Sequence, residues 1–154
     1  MIQRIQTVYL LIAEMLIGAL FFVPFAKILG NEGLIYQFDM KGIYLAGSQK
    51  PEIIYGSLPL VILCALSLII LLITIFKYKN RILQMRLSTI NILLLIGIGG
   101  LIFYYVYSSA KLMQGSYSLN IYLVFPVVAA IFIYLAIRAI AKDELLVRSI
   151  DRIR

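Results

Sequence analysis

The chain has 154 residues and a formal net charge of +7, with 63% hydrophobic and only 14% charged residues. Soluble domains hold roughly 45–50% apolar and about 25% charged residues, so this composition suits lipid rather than water as solvent. With no histidine and one cysteine, Cys64, the chain has no His-based metal site, Ser-His or Cys-His dyad, multi-cysteine zinc site or intramolecular disulfide; no cofactor or metal is expected.

In chain order, the first apolar run extends from about Thr7 to Ala26 (residues 7–26), broken only by Glu14. It exceeds the usual signal-peptide core of about 7–15 residues and is followed by Pro24-Phe25-Ala26-Lys27 rather than a small-x-small cleavage site. It therefore reads as a retained span. The outer loop 27–56 comes next. Leu34, Tyr36, Phe38 and Met40 alternate with Ile35, Gln37, Asp39 and Lys41, the period of a strand. Gly42 can turn the chain, Ile43-Tyr44-Leu45 can pair back, and Glu52-Ile53-Ile54-Tyr55 is a candidate third strand. A small β-hairpin or sheet leaning on the helices is the expectation, since an isolated hairpin is marginal in water.

The second run, residues 57–76, and the third, 87–107, carry no charge. Neither has the polar face of a soluble amphipathic helix, nor the alternation of a barrel strand. Gly97, Gly99 and Gly100 in the third run lack the dinucleotide-binding spacing and predict close helix–helix approach; Gly18, Ala129 and Ala130 are read likewise. The fourth run, 119–140, holds Arg138 near its end, and Pro24 and Pro126 are expected to kink the first and fourth spans. Beyond it the tail, 141–154, continues without Gly or Pro. Leu146, Ile150 and Ile153 form one apolar stripe there, suited either to lipid headgroups and intramolecular packing or to a protein partner.

The fold expected is thus a single membrane domain over residues 1–154: an all-α four-transmembrane-helix bundle with a small outer β element and a cytosolic C-terminal helix extension. Ten basic residues fall on one side of it: Arg4, then Lys77, Lys79, Arg81 and Arg86, then Arg138, Lys142, Arg148, Arg152 and Arg154. Lys27, Lys41, Lys50 and Lys111 make four on the other. The positive-inside rule then places both termini in the cytoplasm. The positive charge is accounted for by insertion and anionic lipid, and nucleic-acid binding is not expected. Tyr104, Tyr105, Tyr107, Tyr117 and Tyr122 crowd the outer boundary as an aromatic belt.

Chemistry inside the bilayer concentrates on Glu14, because a mid-span acid costs about 2.5–3.5 kcal/mol on insertion scales and normally faces a partner. Glu14, Asn91 and Arg138 form a candidate intramembrane polar cluster. Its readings are an interhelical or intersubunit clamp, a proton or ion site, or a protonated carboxyl satisfied locally.

Met1-Ile2-Gln3-Arg4-Ile5-Gln6-Thr7-Val8-Tyr9-Leu10-Leu11 and the segment from Lys142-Asp143-Glu144-Leu145-Leu146 through Arg148-Ser149-Ile150-Asp151-Arg152-Ile153-Arg154 resemble the ends of a family of small four-span membrane proteins of Bacteroidota, described as a domain of unknown function. The resemblance implies a bacterial inner-membrane protein and brings no activity, cofactor or catalytic residue. The functions expected are, first, a non-catalytic accessory or scaffold subunit of an inner-membrane assembly, with a protein partner at the outer loop or C-terminal helix. Second comes a small transporter or ion conductor using Glu14. A membrane enzyme ranks third, because the outer acids Glu32, Asp39 and Glu52 have no spacing that specifies a reaction.

Overall fold

The computed structural model describes residues 3–30, 33–47, 53–78 and 80–151, of which 3–4 and 146–151 as backbone alone. The tail stripe of Leu146, Ile150 and Ile153, the side chains of Arg4, Arg148 and Arg152, and Glu32, Lys50, Pro51, Glu52 and Lys79 lie outside the described part. The elements run α1 (Gln3–Ala19), β1 (Ala26–Leu29), β2 (Ile35–Asp39), β3 (Gly42–Leu45), β4 (Ile53–Gly56), α2 (Leu58–Phe76), α3 (Arg81–Leu112), β5 (Ser116–Leu119), a single 3-10 turn (Ile121–Val124) and α4 (Phe125–Asp151).

The expectation of four transmembrane helices is overturned. Among the described residues, three segments are long and apolar enough to cross a membrane: Leu58–Phe76, Arg81–Leu112 and Ile121–Leu145. The first helix stops at Ala19, seven residues before the end of its apolar run, and its 17 residues rise only about 26 Å against a hydrocarbon core of about 30 Å. The chain leaves it through i→i+3 bonds, from Leu20 N to Ile17 O, Phe21 N to Gly18 O and Phe22 N to Ala19 O. Pro24 has no N–H for a further turn and biases Val23 away from the helix. Strand pairing then claims the next residues. Phe25 N donates to Phe38 O at 2.8 Å, and Ala26–Leu29 enters the sheet. Pro24 thus ends α1 rather than kinking it, and Pro126 sits in the first turn of α4, where a missing N–H costs nothing.

The β element expected in the first loop is also larger than a hairpin. Among the described residues, five antiparallel strands run in the order β4-β3-β2-β1-β5, and β5 comes from the connection between α3 and α4. Ala26–Leu29 pairs with Ile35–Phe38 on one side and with Ser116–Leu119 on the other. The β2–β3 turn is closed by Asp39, whose Oδ1 accepts Lys41 N–H at 2.8 Å and whose Oδ2 accepts the Tyr44 hydroxyl at 2.9 Å. Gly42 has φ +139°, and a Cβ there would collide with Tyr55 O, next to a register shift at Ile43/Tyr44. Only glycine fits that crossing.

One core joins sheet and helices. Ala26, Ile28, Phe38 and Ile43 on the inner face pack with Leu20, Phe25, Leu60, Ile102 and Val106, all fully buried. Phe38 meets Phe25 at 5.4 Å between ring centroids and Tyr105 at 5.8 Å. Ser57 Oγ donates to Met40 O at 2.5 Å, and Asn120 donates to Pro24 O through its side chain and to Phe25 O through its backbone. The sheet is therefore bonded to the helix ends. Among the helices, α1 packs on α4 and α2, and α3 on α4 and α2. Their outer surfaces are apolar: Ile62, Ile69 and Phe76 on α2, Leu93, Ile96 and Phe103 on α3, and Val127 and Ile131 on α4 are all exposed. An apolar exterior over polar interior positions is the arrangement lipid favours.

The glycines of α3 do not draw helices together as the sequence predicts. A Cβ at Gly99 or Gly100 would meet nothing within 4 Å, nor would one at Gly18, and at Gly97 it would make only an ordinary 3.5 Å contact with Leu63. The bond between Gln6 and Asp143 sets the register of α1 against α4, and seven residues along each helix it places Ala13 level with Ala136, both fully buried.

Candidate functional site

In the half of the helices remote from the sheet, buried positions turn polar. On α3 the inward stripe begins Gln84, Ser88, Asn91, spaced i, i+4, i+7, before continuing as Leu95, Ile98 and Ile102. On α2 it includes Ser67 and Thr74. Asn91, with no exposed surface, accepts from Ser67 Oγ at 2.6 Å and donates through Nδ2 to Ser67 O at 3.0 Å. That pair of hydrogen bonds sets the α2–α3 register, so Thr74, seven residues after Ser67, and Gln84, seven before Asn91, lie level. Thr74 Oγ1 turns back to Ile70 O at 2.7 Å.

A second polar group closes the end of the helices opposite the sheet. Gln6 Nε2 on α1 donates to Asp143 Oδ2 on α4 at 2.6 Å, both residues being buried. Arg81, which opens α3, donates from Nη1 to Asp143 O at 3.2 Å and lies 3.7 Å from Glu144 Oε2. Three helices thus converge on Asp143. The Arg81–Glu144 pair is partly solvated and contributes little by itself; the buried Gln6–Asp143 bond is the stronger tie.

The three residues singled out in the sequence are placed differently from one another. Asn91 bonds Ser67. Arg138 is exposed on α4. Glu14 lies half-buried beside the inward stripe of α1, with Oε2 sealed from solvent and without a hydrogen-bond partner among the described residues. No hydrogen bond or ion pair joins Glu14, Asn91 and Arg138 among the described residues. Ser88 Oγ is likewise buried without a partner among them. Counted along the helices, Glu14 lies about 12 Å beyond Gln6 on α1 and Ser88 about 10.5 Å beyond Arg81 on α3. Sequence reading by charge alone passed over Ser67, Ser88, Gln84 and the Gln6–Asp143–Arg81 group. The helical spacing of Gln84, Ser88 and Asn91 was the signal that could have found the α3 stripe.

At the sheet, both outer strands are exposed throughout. Ile53, Ile54 and Tyr55 of β4 are 54%, 46% and 46% accessible, and Tyr117 and Leu119 of β5 are similarly open. Apolar side chains on an outermost strand are what natural sheets usually avoid or cover.

Residues 2–153, nearly the whole chain, match the family model DUF4293, described as a domain of unknown function. No curated protein matches the chain. With a match of that extent, this protein, its helices capped by a five-stranded sheet, belongs to the DUF4293 family.

Proposed function

We propose that the chain is a non-catalytic accessory or scaffold subunit of a bacterial inner-membrane assembly, and that it docks a protein partner along β4. The carrying observation is the outermost strand Ile53–Gly56, exposed at all four positions and apolar at three. A partner strand added there would satisfy the outer backbone groups and cover Ile53, Ile54 and Tyr55, the mode known as β-augmentation. The orientation that goes with this reading puts the Gln6–Arg81–Asp143 end, where the basic residues collect, in the cytosol, and the sheet on the far side of the inner membrane. The sole cysteine, Cys64, is buried, so Ser118→Cys and Asn80→Cys on exposed positions report sidedness. Ser118→Cys should label with a membrane-impermeant maleimide in intact cells, and Asn80→Cys only after permeabilisation.

Docking is tested by co-purification after mild detergent extraction and cross-linking, comparing the native chain with Ile54→Lys, which places a charge on the outer strand. A defined partner retained by the native chain and lost from the variant is the expected result. A monodisperse, partner-free protein in several detergents, or an unchanged partner set in Ile54→Lys, refutes it.

A second reading, a small transporter or ion conductor, rests on Glu14 Oε2, buried and unpartnered among the described residues. It requires that Glu14→Gln abolish proton or cation flux in liposomes. Native flux equal to that of empty liposomes removes it.

A further inference from the structure

A cavity of about 400 Å³ lies where the end of α3 meets the sheet, lined by Tyr107, Ala110, Lys111, Gln114, Gly115 and Tyr117. Tyr107, Ala110 and Lys111 come from the last turns of α3, and Tyr117 from β5. Lys111 is the first charged residue of α3 after Arg86, so the cavity sits where the apolar span gives way to polar surface. Its lining brings together a cation, an amide and two phenol rings.

Lys111 is the telling residue. Its ammonium has no carboxylate or hydrogen-bond partner among the described residues. Nor is it needed to cap α3. Ser109 O accepts from Met113 N at 3.0 Å, Ala110 O from Gly115 N at 3.0 Å and Lys111 O from Gln114 N at 3.3 Å, the paired bonds of a Schellman ending. The left-handed residue of that ending, ordinarily glycine or asparagine, is Gln114 at φ +46°. The next residue, Gly115, is held against β1, where a Cβ would collide with Leu29 O. A cavity at the end of an apolar span, lined by a cation unpaired among the described residues, points to a ligand. Toward the middle of the span, α3 presents Phe103, Tyr104 and Tyr107, all more than half exposed, and Gly100 leaves open space beside them.

We propose that this cavity holds the headgroup of an anionic phospholipid, its phosphate at Lys111 and its acyl chain along Gly100, Phe103 and Tyr104. A phosphate meets the unpaired charge, and a hydrocarbon tail meets the apolar face continuous with the cavity. No carboxylate among the described residues lines the cavity to repel the anion. The site is independent of the β4 docking surface and of Glu14.

Native mass spectrometry of the full chain, delipidated in detergent and titrated with phosphatidylglycerol, phosphatidylcholine or inorganic phosphate, tests this. One phosphatidylglycerol should be retained about fivefold more strongly than phosphatidylcholine, the ratio set by roughly 1 kcal/mol per basic residue at a membrane surface. Lys111→Gln should erase that preference, Lys111→Arg should keep it, and Lys27→Gln, an exposed cation elsewhere on the sheet, should leave it unchanged. Unaltered circular dichroism shows that the variants are folded. Equal retention of the two lipids, an unaffected Lys111→Gln, an equal loss in Lys27→Gln, or displacement of the lipid by inorganic phosphate overturns the proposal.

Discussion

Removing the Ser67–Asn91 pair should weaken the helices by an amount that its geometry predicts. Asn91→Ala deletes two hydrogen bonds, from Ser67 Oγ at 2.6 Å and to Ser67 O at 3.0 Å, at a position with no exposed surface. Interhelical hydrogen bonds in membranes average about 0.6 kcal/mol and reach about 1.7 kcal/mol, so the two together are worth about 1–3 kcal/mol. Ser67→Ala removes only the hydroxyl bond, because Asn91 Nδ2 still finds the Ser67 carbonyl. The double variant therefore isolates one bond, with a coupling energy of about 0.6–1.7 kcal/mol. Reversible unfolding in mixed micelles against rising dodecyl sulfate measures all three, read by circular dichroism because the chain has no tryptophan. Effects that simply add, within about 0.3 kcal/mol, would refute the claim that this bond joins α2 to α3.

Three other outcomes are expected from the same geometry. Gln6→Leu leaves the buried Asp143 Oδ2 without its donor and should cost about 1.5–3 kcal/mol, seen as a lowered midpoint in the same unfolding assay. Gly42→Ala drives a Cβ toward Tyr55 O and should loosen β4, raising hydrogen exchange at Ile53–Gly56 while the helices keep their protection. Burial, and after it the hydrogen bond and charge of Asp39, push the Tyr44 hydroxyl above its ordinary value of 10.0. A raised pKa means that the folded chain favours the neutral phenol, so this stabilisation is complete below about pH 10 and is lost as pH climbs through the folded value. Phenolate absorbance of the native chain minus that of Tyr44→Phe should show one late-titrating tyrosine, and Asp39→Asn should bring its titration earlier.

Sequence pattern was most legible where nothing distant competes for the backbone. The second apolar run, expected over 57–76, is observed as Leu58–Phe76, with Pro59 in its first turn and no breaker after it. The hairpin of Ile35–Asp39 with Gly42–Leu45 was legible for a similar reason, since alternation and a turn glycine are local signals. Residues 20–29 were not. Leu20-Phe21-Phe22-Val23 is as apolar as the helix before it, and although Pro24 is a local stop signal, it is pairing with Phe38 and Leu119 that draws Phe25 and Ala26 into a strand. Ser116–Leu119 is four residues long and pairs with a strand about ninety positions earlier, too short and too distant for its own period to announce it. At the polar interior, charge identified Glu14, whereas the observed bonds belong mainly to uncharged side chains at helical spacing.

The short first helix and the large sheet are one fact seen from two sides. β1 is bonded along both edges, to β2 and to β5, so it joins the connection between α1 and α2 to the connection between α3 and α4. Had α1 continued through Ala26, the facing backbone groups of β2 and β5 would be left without partners beside a buried aromatic cluster, each at a cost of about 1–3 kcal/mol. Pro24, unable to donate within a helix, removes most of what the longer helix would gain. The helices are thus tied at one end through strands and at the other through Gln6, Arg81 and Asp143, while their middle packs through an apolar core crossed by one amide–hydroxyl pair. A chain held at both ends in this way does not rely on the side chains of Ile54 and Lys111, both exposed, and for that reason substitutions at these two positions should alter binding before they alter folding.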